Sequence, residues 1–221
     1  MKTEYSGLHL QKQGSIWILT QISTHGTVNW QMPILDQWNQ CLNRIDELSI
    51  EGSCLIIDNS PGEDWCCGID MQWFLTLEQS EQEIFQERMN QLLLRLAALS
   101  IPTVACMNGA AKQWGALLAL ACDFRLMANQ HSFLRFTDLK APITTTPSTT
   151  AVFTHLTSSP ALWQLILAGR TFTAQEAVQA NLADAHWPDD ELFHESLVLA
   201  EKLARKHRSS YAALKRALRR L

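Results

Sequence analysis

The stretch VACMNGAAKQWGALLALACDFRLMA, residues 104–128, joins a strand-like run to a short apolar helix through a cluster of small residues. Loops of this kind bring backbone N–H groups up to a ligand, and the positive end of the following helix favours an anion there. Lys112, Gln113 and Trp114 stand where such a loop favours glycine, so the loop's fitness for chemistry is the first question. Other chemistries find less support. His25, His131, His155 and His194 have no carboxylate or serine at an informative spacing, which leaves a hydrolase triad without a basis. The six cysteines include no pair with metal-ligand spacing backed by histidines, so no metal site is expected. Cys66 and Cys67 are adjacent, which strains a disulfide, and several of the others lie inside apolar runs as small core residues do.

The elements that must position such a loop follow from periodicity. LHLQKQGSIWILTQI reads as two short strands around Gly14, and SCLIIDN as a strand buried on both faces. MPILDQWNQCLNRIDEL is helical, with Ile34, Trp38, Cys41, Leu42 and Ile45 on one face and Pro33 near its start. SPGEDWCCGID breaks regularity. Ser80 and Glu83 form a capping box for a long helix carrying Ile84, Phe85, Met89, Leu92, Leu93 and Leu96, and Pro102 closes it. Beyond the TVACMN strand, the Gly115-to-Ala121 helix and the DFRLMA strand, TTTPSTT reads as a loop and cap. TFTAQEAVQAN is a helix with a Thr173–Glu176 box and Asn181 in the usual glycine position, and two amphipathic helices end the chain. Strand alternating with helix, without repeat or linker, predicts an α/β domain.

The chain has 221 residues, 47% of them apolar, which suits one sizeable core. A net charge of −4 and a pI near 6.0 argue against a nucleic-acid partner. No apolar run is long enough to span a bilayer, no secretory signal opens the sequence, and the cysteine usage suits a reducing cytoplasm. From Lys202 onward there are eight Lys or Arg and no acid; a solvated helical tail is the favoured reading, and a surface for phosphates or an acidic partner the sharper one.

Several segments, in order, resemble the crotonase, or enoyl-CoA hydratase/isomerase, superfamily. Residues 104–128 resemble its signature, WCCGIDMQWF its earlier small-small-Gly-x-Asp loop, AGRTFTAQEAVQANLAD its TGR-(small)-A-x-EA helix, and LARKHRSSYAALKRAL its late helix pair. The likeness runs from about residue 7 to the end, and the chain stops where family members usually add a helical segment used in trimer packing. The resemblance implies a spiral of ββα units over residues 1–188, with shortened C-terminal helices over 189–221, in a single domain. It also implies acyl-CoA or acyl-carrier-protein thioesters as substrates, no cofactor, and a homotrimer or hexamer.

Further residue roles come from the same resemblance. An enolate oxygen would be held by the backbone N–H of Ile69, after Gly68, and by that of Trp114, beside Gly115. Glycine at the position of Trp114 would permit unusual dihedrals and leave room for the thioester; the tryptophan either walls the acyl pocket or plugs it. Asp70, Gln72, Trp73 and Leu117 fall on substrate-binding positions, Gln72 near the adenine, while Asn108 and Asp123 fall on positions that hold the turn. The first acid of the hydratases falls on Leu117 and is absent. The second falls on Asp138 when FLRFTDLKAPI is matched to the family's F-x-x-(T/S/P)-E-x-K-L-G-L, or on Thr137 with a shift of one residue; a loop charge is the plain alternative for Asp138. One carboxylate with leucine at the first site is the pattern of the 3,2-trans-enoyl-CoA isomerases. The rival expectations are a decarboxylase or modifier of carrier-protein thioesters, and a non-catalytic binding or assembly subunit.

Overall fold

The computed structural model describes residues 2–4, 6–22, 27–49, 51–59, 64–136, 147–156 and 160–219. Strands β1 (Lys2–Glu4), β2 (Leu8–Gln13) and β3 (Ile16–Gln21) form an antiparallel meander, and Gly14 turns between the last two at φ +59°. Strand β4 (Asn29–Trp30) leads to helix α1 (Met32–Leu48), and β5 (Cys54–Asn59), β6 (Asp64–Cys66) and β7 (Gly68–Ile69) lead to the short α2 (Met71–Phe74) and long α3 (Gln79–Ala97). Then come β8 (Thr103–Met107), β9 (Ala110–Lys112), α4 (Trp114–Ala121), β10 (Phe124–Ala128) and β11 (Phe133–Arg135). Helices α5 (Pro147–Leu156) and α6 (Pro160–Ile166), β12 (Phe172–Thr173), α7 (Ala174–Gln179), β13 (Ala185–Trp187), α8 (Leu192–Ala204) and α9 (Arg208–Arg219) complete the order.

The main sheet runs β1-β2-β3-β5-β8-β10-β13 and is parallel from β3 onward. Its central strands are apolar on both faces because both are covered. Leu55, Ile57, Ala105 and Met107 join the large core with α1, α3 and α4, while Cys54, Ile56, Val104 and Cys106 meet Leu192, Ala200 and Leu203 of α8. A second sheet, β12-β11-β9-β6, and the two-stranded β4-β7 stand apart from it and carry the candidate site. The segment expected to break regularity after β5 thus holds two strands too short to show a period.

Two helix details depart from expectation. Helix α3 starts two residues earlier than its expected box: Glu78 N donates to Glu81 Oε2 at 3.0 Å, and Ile84 is 55% exposed rather than core. In α1 it is Leu35, with Trp38, Cys41, Leu42 and Ile45, that is fully buried, and Ile34 packs at the margin. The Thr173–Glu176 box is present, with Thr173 N donating to Glu176 Oε2 at 3.0 Å, and Asn181 takes φ +57°.

The basic tail is not simply solvated. Asp123, between α4 and β10, accepts from Thr103 N (3.0 Å) and Tyr211 Oη (3.0 Å) and pairs with Lys215 Nζ (2.9 Å) and Arg219 Nη2 (3.3 Å). Lys215 is buried, so desolvation pulls its ammonium pKa down while Asp123 opposes the shift. Arg208 bonds Ser49 O and Ser100 Oγ. These cations dock α9 onto the core, and Asp123 serves as a turn-holder with a further long-range role.

Strand β5 also places Asp58 on the α8 side. Burial raises its carboxyl from 3.8 to about 6, opposed by hydrogen bonds from Asn59 N–H and the Cys106 thiol. The folded protein therefore holds this proton more tightly than the unfolded chain. The resulting penalty is absent below 3.8, accrues as pH rises through the interval to about 6, and is complete above it. Asp58→Asn keeps an acceptor oxygen and removes the charge. It is expected to stabilise the fold by up to about 3 kcal/mol at neutral pH, with the gain shrinking toward zero near the bottom of that interval. Urea unfolding at several pH values checks this; a gain independent of pH would show that Asp58 does not titrate as described.

Candidate active site

Two backbone turns meet at one point. Gly68, at φ +78°, follows β6, and a Cβ built on it would lie 2.7 Å from Trp114 Cβ and 2.9 Å from Gly115 N. A Cβ on Gly115 would overlap the Cys66 carbonyl. Both glycines are therefore required by close approach: the turn carrying Ile69 sits directly on the first residues of α4. Ile69 is held by pairing of β7 with β4, where Trp30 is its register partner and Asp70 N donates to Trp30 O at 3.0 Å. Trp114 is the first residue of α4, and a helix's first N–H groups have no partner within it. The helix's first inward bonds run from Ala116 N and Leu117 N to Gln113 O.

The strained residue is Gln113, one place earlier than expected. It takes φ 48° and ψ −122°, the conformation of the first central position of a type II′ turn, which glycine normally fills. Such a conformation stores about 1–3 kcal/mol in a non-glycine residue. It is held by Gln113 N, directly after β9, donating to Arg135 O of β11 at 2.7 Å. Trp114 itself needs no glycine-like dihedrals; the residue is 5% exposed, and its indole lies edge-on to Phe136, ring centroids 6.5 Å apart at 66°. Phe136 stands two residues before Asp138. Thr137, Asp138, Lys140 and Pro142 lie outside the described residues.

The other expected site residues divide. Asp70 caps α2, accepting from Trp73 N at 3.1 Å and Gln31 Nε2 at 2.9 Å. Gln72 is on the exposed side of α2, and Trp73 is half-buried against Phe85, centroids 5.1 Å apart. Phe74, Leu117 and Leu118 are buried in the main core. Every residue of α4 is buried and none is titratable, so this helix contributes no acid. Asn108 Oδ1 is buried without a partner among the described residues. His131 and His194 are exposed, and His25 is outside the described residues.

Sequence reasoning missed Asp64. Its side chain is 4% exposed, 2.5 Å from Lys112 Nζ through Oδ1, and it accepts from Cys67 Sγ at 3.0 Å through Oδ2. The available signal was the second acid of the adjacent Glu63–Asp64 pair, directly before the apolar WCC triplet. Burial, and then the bond to Asp64, pushes the Cys67 thiol up to about 12, and burial holds Cys66 well above the usual thiol range. Both are thiols at neutral pH, which disfavours a thiolate nucleophile here. No group of three or more His, Cys, Asp or Glu among the described residues could hold a metal ion.

A parallel-centred sheet, a second small sheet, and two backbone turns that abut at a helix start define a crotonase-type fold. Solved structures with this architecture include an enoyl-CoA hydratase from Geobacillus kaustophilus, with a TM-score of 0.86 and 18% identity over 100% of this chain and 83% of that one. Another, from Bacillus anthracis, has a TM-score of 0.84 and 21% identity over 96% and 82%. The sequence model described as enoyl-CoA hydratase/isomerase matches residues 33–221, and the chain belongs to that family. It is 26% identical to the peroxisomal enoyl-CoA delta isomerase 2 of Arabidopsis thaliana, over 95% of this chain and 90% of that one. It is 27% identical to the 2,3-dehydroadipyl-CoA hydratase of Escherichia coli K12, over 81% and 70%. Among the described residues no helix is long and apolar enough to cross a membrane.

Proposed function

We propose that this family member is an isomerase that moves the double bond of an enoyl thioester, with acyl-CoA as the carrier. The observation that carries the reading is α4, which is buried along its length and bears Leu117 where hydratases need their first acid. Hydration requires a positioned water and a second carboxylate to manage its proton. Isomerisation does not. A single base removes the α-proton, the electrons spread into a dienolate, and the same base returns the proton to the γ-carbon. Asp138 is that base in this reading, and the Ile69 and Trp114 N–H groups hold the enolate oxygen as its charge develops. The abutment of Gly68 on Trp114 and Gly115 supports the last assignment, because it brings both turns to one place.

The buried indole of Trp114 favours a second reading, a binding subunit whose acyl space is filled by this side chain. Side-by-side assays separate the two. The protein is expected to convert 3-enoyl-CoA to 2-enoyl-CoA faster than it hydrates 2-enoyl-CoA. Hydration outrunning isomerisation would sink the isomerase reading, and neither activity together with no binding of acyl-CoA would favour the subunit.

A further inference from the structure

The two turns that would hold the enolate oxygen come from different strands, β6 and β9. Two N–H groups act on one oxygen only if both lie within about 2.7–3.1 Å of it, so the spacing of the strands governs the pair. Backbone pairing alone fixes that spacing poorly here. Asp64 pairs with Ala110 and Cys66 with Ala111, so the register shifts between them, and such an irregularity lets a strand bend.

Asp64 stands at this irregularity and reaches three directions. Its Oδ1 meets Lys112 Nζ at 2.5 Å, and Lys112 is the second residue before Trp114. Its Oδ2 accepts from Cys67 Sγ at 3.0 Å, and Cys67 directly precedes Gly68. Its backbone carbonyl accepts from Asn59 Nδ2 at 3.0 Å, which anchors it to the end of β5. The Asp64 carboxylate is buried while the Lys112 side chain is 37% exposed, so losing the ammonium alone would strand a buried charge. We propose that Asp64 and Lys112 are positioning residues: their ion pair clamps β6 to β9 and sets the separation of the Ile69 and Trp114 N–H groups. The proposal rests on reading those groups as an oxyanion hole.

The test uses Lys112→Met, the conservative Lys112→Arg, and the double variant Asp64→Asn/Lys112→Met. The double variant leaves no charge stranded, and so serves where the single one fails to fold. Hydrogen exchange, which needs no substrate, is read on fragments covering residues 65–74 and 110–121. Removing the pair is expected to speed exchange in the 65–74 fragment, across the sheet from Lys112, with α9 unmoved and Lys112→Arg close to wild type. Unchanged exchange at 65–74 would overturn the clamp.

The second readout compares the enolate of acetoacetyl-CoA, followed by its ultraviolet band, with the affinity for butyryl-CoA, measured by calorimetry. The enolate is expected to weaken by about tenfold or more, while butyryl-CoA binding stays within about twofold and Lys112→Arg restores the enolate. Equal losses for both ligands would mean a general structural or carrier contact and overturn the proposal. A wild type that binds butyryl-CoA without forming the enolate would sink the oxyanion-hole reading itself. An enolate-forming wild type with unmoved variants would sink the clamp alone.

Discussion

Asp138→Asn is expected to lower exchange of a thioester's α-protons by about 10²- to 10⁴-fold, the usual contribution of a positioned base. The reason is chemical. An asparagine amide has nearly the shape of aspartate and can accept a hydrogen bond, but it cannot take a proton and give it back. If one base performs both transfers, losing it removes both, and double-bond migration falls together with α-exchange. The measurement is deuterium uptake at the α-carbon of an acyl-CoA in heavy water, with circular dichroism confirming that the variant folds. Because α4 bears no titratable side chain, no acid from that helix can take over. Exchange at the wild-type rate would move the role to Thr137 or to a water, or deny the chain a base altogether. Loss of migration with exchange retained would locate Asp138 at the γ-carbon only.

Trp114→Gly carries the other large effect, and it acts on stability and specificity at once. Trp114 is buried and its indole packs edge-on to Phe136, so deleting the side chain leaves a cavity beside the start of α4. Truncating a buried large aromatic costs about 3–5 kcal/mol, and partial collapse of the site sets where in that range the loss falls. The backbone N–H survives the substitution, so the same variant asks what the side chain does for the ligand. If the indole walls the acyl pocket, the wild type binds short acyl-CoA, and Trp114→Gly binds it more weakly while admitting longer chains. If the indole fills the pocket, the wild type binds no acyl-CoA, and the variant acquires binding. Calorimetric titration of both proteins with a short and a long saturated acyl-CoA distinguishes the two, and urea unfolding gives the stability loss. The first outcome is the one expected of an isomerase; the second would turn the protein into a binding subunit with a plugged site.

Much of the scaffold is legible in the amino-acid sequence itself. The unbroken apolar run in SCLIIDN marks a strand covered on both faces, as β5 is, because each face needs its own apolar residues. Gly14 and Asn181 sit at positive φ, as residues of their type do at turns and helix ends. The Thr173–Glu176 box forms because its bonds span three residues and need nothing from elsewhere. The order of the motifs is enough to indicate the family, since each motif records a local backbone requirement.

What the chain alone could not decide depends on contacts between segments remote in sequence. Strands β6, β7, β9 and β11 have two or three residues each, too few for a period, and exist only because partner strands supply their hydrogen bonds. The strained turn falls on Gln113 rather than Trp114 because Arg135 of β11 holds Gln113 by its carbonyl. Cations that read as a solvated tail turn inward because Asp123, near the far end of α4, is buried and needs them. Asp64 reads as an ordinary loop acid until folding brings Lys112 to it. In each case the free energy lies in a pair whose members become neighbours only when the sheets close, and a buried charge or an unpaired backbone group makes that pairing obligatory.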